Sequence, residues 1–178
     1  VAVDDEEARK WYTLGAEAGY RYAHYLLGRR YLMGDIVPAD TSLAIKWLSR
    51  SGENGYASAW CQLGVSYTTG KYLPRNYQKA FAYYYRAAQM GDDYSFYALA
   101  DCYRRGRGCE KNDTLAFQWY GRAMEQGYIH AAKNLGDCYY YGRGVEKNID
   151  KAIKFYRMAA EKGNRGAIAA LSRLGVEI

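Results

Sequence analysis

Gly19, Gly55, Gly91, Gly127 and Gly163 stand 36 residues apart, with no insertion or deletion between them. A fixed period of roughly 20–50 residues marks a chain that stacks one small supersecondary unit repeatedly. Each unit then buries its apolar face only against its neighbours, and such a chain works through the surface that the stack leaves exposed.

Other columns keep the same phase. Ala8, Ala44, Ala80, Ala116 and Ala152 form one, and Trp11, Trp47, Tyr83, Trp119 and Phe155 form an aromatic one. Ala23, Ala59, Ser95, Ala131 and Ala167 form a small column, followed by Leu27, Leu63, Leu99, Leu135 and Leu171. Tyr31, Tyr67, Tyr103 and Tyr139 come next, and Gly34, Gly70, Gly106 and Gly142 close that half.

Each unit reads as two helices. Ala131, Leu135, Gly136 and Tyr139 fall on one helical stripe, and Ala152, Phe155, Tyr156, Ala159 and Ala160 fall on a second. Between them Gly142-Arg143-Gly144-Val145 favours a turn. Asn148 is an expected N-cap, with Asp40, Asn76 and Asn112 in its column. Gly163 stands where a glycine ends the second helix. The count is ten helices, the last from about residue 166 to 174. Val1 and Asp4 align with Val37 and Asp40, so the phase places the chain's start in mid-unit, as expected for a piece of a longer protein or a processed terminus.

Composition narrows the class. The chain has 178 residues, 49% of them apolar and 25% charged, as in ordinary folded proteins. Its 21 Tyr are too many for the repeat columns alone, so some must lie on surfaces. The net charge of +6 mildly favours acidic partners and falls short of implying nucleic acid. No apolar run approaches the roughly 18 residues that a membrane helix needs. Of Cys61, Cys102, Cys109 and Cys138, the second and fourth share a column in adjacent units. Equivalent stacked helices sit about 8–10 Å apart, too far for an unstrained bridge. Four free structural thiols are expected, with Cys109 a small buried hydrophobe, and a Cys102–Cys109 bridge is the alternative.

The run Ala131-x3-Leu135-Gly136-x2-Tyr139-x2-Gly142-x-Gly144-Val145-x2-Asn148-x3-Ala152-x2-Phe155-x3-Ala159-Ala160-x2-Gly163-x3-Ala167 resembles the Sel1-like repeat. That family usually has Asp at the place of Asn148 and often Trp at that of Phe155. The unit from Ser95 is similar, with Ala100 for the Gly of the Leu-Gly pair. The units from Ala23 and Ala59 keep Leu27-Gly28 and Leu63-Gly64 but carry Ile36 and Tyr72 where the second loop glycine would stand, and share Pro38 and Pro74. The resemblance covers essentially the whole chain. It implies an all-α fold, a right-handed α/α superhelical solenoid of about ten antiparallel helices related to tetratricopeptide repeats. One repeat domain spans 1–178: a partial unit 1–22, full units 23–58, 59–94, 95–130 and 131–166, and a closing segment 167–178. It also implies an adaptor in protein complexes. Some relatives serve endoplasmic-reticulum degradation, others bacterial envelope or host-contact systems. The regular cysteine pair of one secreted bacterial subgroup is missing, so its disulfides are not carried over.

In related solenoids the first helix of each unit lines a concave face. Placed by the Leu and Tyr columns, the partner-facing positions are Tyr22, Tyr25, Arg29, Leu32 and Met33, then Ser58, Cys61, Val65, Thr68 and Thr69. The third unit gives Tyr94, Tyr97, Asp101, Arg104 and Arg105, and the fourth His130, Lys133, Asp137, Tyr140 and Tyr141. Tyr and Arg combine contact area with directed hydrogen bonds, as binding hot spots do, and such a groove suits an extended peptide or a partner helix. The competing reading is that these side chains only cover helix surfaces and pair with one another. The second set is small and nearly neutral, a gap in the contact surface.

Other chemistry finds little support. His24 and His130, with four scattered Cys, give no metal-ligand spacing, and no cofactor is expected. Gly106-Arg107-Gly108 and Gly142-Arg143-Gly144 lack the strand, third glycine and Lys-Ser/Thr of a phosphate loop. Asp101 and Asp137 are one repeat column, and no Ser, Cys or carboxylate has an evident activating partner, so an enzyme is not expected. Tyr interleaved with Arg and Lys could stack bases of single-stranded RNA, and a Tyr-rich groove could hold a cell-wall glycan. Asn112-Asp113-Thr114 fits a glycosylation acceptor by composition alone.

Overall fold

Four second helices begin on the expected cap. The side chains of Asp40, Asn76, Asn112 and Asn148 accept the backbone N–H three residues on, each at 2.9 Å. The backbone N–H of the same four residues donates to the carbonyls of Tyr31, Tyr67, Tyr103 and Tyr139 at 2.9–3.0 Å. Each of these four loops therefore closes on the Tyr column, whether it carries Pro or Gly-x-Gly. Replacing Asn148 with Ala should lower stability by about 1 kcal/mol, whereas Asn148→Asp should hold it, the carboxylate accepting the same bond at a positive helix end. Urea unfolding checks both, and an Asn148→Ala variant as stable as the parent would show that the cap bond contributes nothing.

The computed structural model describes residues 5–177. The alignment of Val1 and Asp4 with the loop lies outside the described residues, as do the side chains of residues 5, 6, 8 and 9, Ala8 of the alanine column among them. The chain forms two compact units, Val1–Asp92 and Asp93–Ile178.

The first unit holds α1 (Asp5–Glu17), α2 (Arg21–Met33), α3 (Thr41–Glu53), α4 (Ala57–Thr69) and α5 (Tyr77–Gln89). Its main packed pairs are α2 with α3 and α4 with α5. Leu27, Ala44, Leu48, Ala59, Leu63, Ala80 and Ala87 are at most 2% exposed, so the repeat columns are its core. His24 is fully buried, stacked on Trp47 at 5.4 Å. Its Nε2 lies 2.8 Å from the Ala16 carbonyl, which can only accept, so Nε2 carries the proton.

The second unit holds α6 (Asp93–Arg105), α7 (Asp113–Glu125), a 3-10 turn (Ile129–Ala131) running into α8 (Ala132–Tyr141), α9 (Ile149–Glu161) and α10 (Arg165–Arg173). Here α6 pairs with α7, α8 with α9, and α9 with α10. Ala116, Ala131, Leu135, Ala152, Ala167 and Leu171 form the interior. The ten α-helices among the described residues agree with the number expected from the pattern, and α2, α4, α6 and α10 start two residues before the small-residue column.

The five glycines of the 36-residue ruler all have positive φ, from 76° to 89°, as a helix-ending residue past the cap requires. Gly144 is also left-handed, at φ 70°, while Ile36 and Tyr72 in its column are not. The two loop types thus differ in backbone conformation, as their different residues foretell.

All four cysteines are free, which disposes of the Cys102–Cys109 alternative. Burial pushes the Cys102 thiol up to about 12 and that of Cys138 up to about 11, so both stay protonated at neutral pH. Cys109 is half-buried rather than buried, and burial raises its thiol too.

Candidate protein-binding face

A further buried column, on the second helices, supports the first helices. Tyr84, Tyr120 and Tyr156 lie 36 residues apart and are at most 2% exposed. A Cβ on Gly64 or Gly136 would come within 2.6 Å of the rings of Tyr84 and Tyr156, so the Leu-Gly pair exists to let that ring approach. Ala100 replaces this glycine above Tyr120, and the pair fits with both residues fully buried. Each Tyr hydroxyl then meets a residue of the predicted face. That of Tyr84 lies 3.1 Å from Thr68 Oγ1. Tyr120 accepts from Arg104 Nε at 3.2 Å, and Tyr156 donates to Asp137 Oδ1 at 2.9 Å.

In the second unit these hydroxyls anchor a polar network. Asp101 accepts Arg104 at 2.5 Å and Arg105 at 2.8 Å, and Lys133 donates to Asp137 at 2.5 Å. Burial opposes the charge of Arg104, but its bonds to Asp101 and Tyr120 outweigh burial and raise its pKa. Burial, then the Asp101 charge, pushes up the hydroxyl of Tyr120; burial and Asp137 do the same to Tyr156. Asp101 and Asp137 thus serve as acceptors that fix cations and a tyrosine.

Beside the network lies an aromatic cluster. Tyr97 packs on Tyr94 at 6.2 Å, on Tyr128 at 5.2 Å and on Tyr120 at 5.7 Å. Tyr128 meets Tyr94 edge-on at 5.9 Å and His130 at 5.2 Å. Tyr140 and Tyr141 are edge-to-face at 4.8 Å, with Lys147 over the first ring and Arg143 over the second. Tyr94, Tyr97, Asp101, Arg104, Lys133, Asp137 and Tyr140 are half-buried, and Arg105, His130 and Tyr141 are exposed.

The first unit repeats the aromatic part. Tyr25 packs on Tyr56 at 4.9 Å and on Tyr22 at 6.1 Å, and Tyr22 meets Tyr56 edge-on at 5.7 Å. The Arg29 guanidinium lies over the Tyr25 ring at 5.6 Å. Ser58, Cys61, Val65 and Thr68 are half-buried and Thr69 is exposed. Leu32, expected on the face, is instead buried at 4%. It shares its column with Thr68 and Arg104, as Leu48 shares the Tyr84 and Tyr120 column, so an apolar pair occupies positions that are polar further along.

Sequence reasoning missed Tyr56, Tyr128, Tyr120 and the hydroxyl role of Tyr156. The signal for the first two was a double period. Tyr22, Tyr25 and Tyr56 each stand 72 residues before Tyr94, Tyr97 and Tyr128. Each compact unit therefore carries one trio of tyrosines in the same register.

The Sel1 repeat matches residues 1–20, 21–56, 57–92, 96–128 and 129–164, and the match at 21 starts where α2 starts. The chain belongs to the Sel1 repeat family. Among solved structures it is similar to a protective antigen of uropathogenic Escherichia coli that displays an SLR fold, with 30% identity and a TM-score of 0.85 over 94% of this chain and 36% of that one. It is also similar to a Sel1 repeat protein from Oxalobacter formigenes, with 31% identity and a TM-score of 0.79 over 97% of this chain and 71% of that one. Cysteine rich protein B of Helicobacter pylori gives 25% identity and a TM-score of 0.57 over 75% and 96% of the two chains. None of the curated proteins matches it. The chain spans about a third of the E. coli antigen. As an SLR helical solenoid it falls in a family of generally non-catalytic protein-interaction scaffolds. Among the described residues no group of three or more His, Cys, Asp or Glu could hold a metal, and no helix is long and apolar enough to cross a membrane.

Proposed function

We propose that this chain is an adaptor that binds a peptide or partner protein on the faces of its first helices, above all on α6 and α8. The observation that carries this is the division of labour between columns. The repeat residues are consumed in the interior and caps, whereas Tyr94, Tyr97, Arg104, Arg105, Tyr140 and Tyr141 are not required by the repeat and stay half-buried or exposed on the first helices. Buried Tyr120 and Tyr156 hold the charged members in place, and preorganised side chains lose less entropy on binding.

Combined replacement of Tyr97, Arg104 and Tyr140 by Ala should weaken binding of a partner recovered by affinity capture about a hundredfold, with the far-ultraviolet helical signal unchanged. Retained affinity in the folded triple variant would contradict the assignment. Capture of poly(U) with a steep salt dependence would favour RNA instead, and retention on insoluble cell-wall material would favour a glycan.

A further inference from the structure

Arg29 and Asp101 occupy the same position 72 residues apart, each beside a tyrosine trio, yet their charges are opposite. Asp101 is saturated by Arg104 and Arg105. Arg29 meets no carboxylate among the described residues; its contact is with Tyr25, by ring and by hydroxyl. Its Nε is buried and makes no hydrogen bond. Burial raises the pKa of Tyr25 and the Arg29 charge pulls against it, so the ring and the guanidinium form one half-buried group.

We infer that Tyr22, Tyr25, Tyr56 and Arg29 form a docking subsite for an acidic segment of a partner protein, with Arg29 taking an Asp or Glu side chain and the rings taking an apolar neighbour. This rests on the reading of the chain as an adaptor. Charge argues for it: an incoming carboxylate breaks no existing ion pair at Arg29, and gains a charge-assisted bond to an under-satisfied guanidinium. At the matching place in the second unit it would have to displace Asp101. The excess of six positive charges adds long-range attraction in the same direction. Ring geometry favours peptide over nucleic acid. Tyr25 is tilted 57° onto Tyr56, and Tyr22 stands at 70° to Tyr56, so the three rings do not present one run of parallel faces for successive bases to stack on.

The test is selection of a random decapeptide display library on the full chain. Enriched sequences should carry Asp or Glu at one fixed position beside an apolar or aromatic residue. A fluorescein-labelled consensus peptide should bind about tenfold more tightly than its Gln counterpart by anisotropy. In Arg29→Gln that difference should vanish, and in Arg29→Lys it should shrink, since Lys keeps the charge and loses the forked geometry. Enriched peptides with no acidic position, or a Glu preference that survives Arg29→Gln, would overturn the subsite while leaving peptide binding intact. A library that yields no enriched peptide would overturn the adaptor reading along with it. The cycle of two peptides against two proteins separates the pair from any general loss of fold.

Discussion

Tyr120→Ala is expected to destabilise the unit Asp93–Ile178 by about 3–5 kcal/mol, the range for removing a buried aromatic ring, while Tyr120→Phe should cost only about 1 kcal/mol. The Tyr120 ring is fully buried between the helix pair α6 and α7, so truncation opens a cavity that the fully buried Ala100 cannot fill. The hydroxyl contributes less. Without it Arg104 still holds Asp101, so no charge is stranded. Urea unfolding followed by circular dichroism measures both variants. Equal losses in Phe and Ala would mean that the polar network, and not the ring, holds the pair together. The intermediate result also bears on binding: in Tyr120→Phe the Arg104 side chain loses one of its two anchors, so a partner gripping it should bind more weakly although the fold survives.

That double role was hidden in the sequence for a physical reason. Tyr156 was legible as a member of an apolar stripe, because periodicity reports which side of a helix is buried. It does not report that the hydroxyl of such a ring passes beneath the neighbouring helix and emerges at Asp137. That depends on how closely two helices approach, which Gly136 sets. The caps were legible in full, since an N-cap acts on its own backbone three residues away and needs no tertiary information. So were the number of helices and the glycine stops.

The candidate face was legible in part. Stripe spacing on one helix put Tyr22, Tyr25 and Arg29 together, and likewise Tyr94, Tyr97 and Asp101. Tyr56 and Tyr128 escaped because they precede their helices, outside any stripe, and join the trio only when the next unit packs. Leu32 failed for the opposite reason. Its column is polar at Thr68, Arg104 and Tyr140, so alignment across units suggested a surface, whereas its own apolar side chain is packed inside. A repeat alignment transfers position and cannot transfer environment where the residue class changes.

Gly144→Ala should cost about 2–5 kcal/mol, whereas Gly163→Ala should cost about 1–2 kcal/mol. Both glycines are left-handed, at φ 70° and 76°, so each substitution bears the strain of an L-residue in that region, roughly 1–2 kcal/mol. They differ in what the new methyl meets. Nothing lies within 4 Å of a Cβ at Gly163. A Cβ at Gly144 would overlap the Asp113 carbonyl and come 2.7 Å from Thr114 N, both backbone atoms at the start of α7. A flexible side chain could swing aside; a helix terminus capped by Asn112 can yield only by moving the helix, which adds about 1–3 kcal/mol of overpacking. The comparison is internal, since the shared backbone term cancels between the two variants and the difference in urea midpoint reports the clash alone. Equal destabilisation would mean that the loop Gly-x-Gly is selected for turn conformation only. A larger loss at Gly144 would explain why the second loop glycine accompanies one loop shape and gives way to Ile36 and Tyr72 in the other: where the loop backbone presses directly on the preceding second helix, no side chain has room.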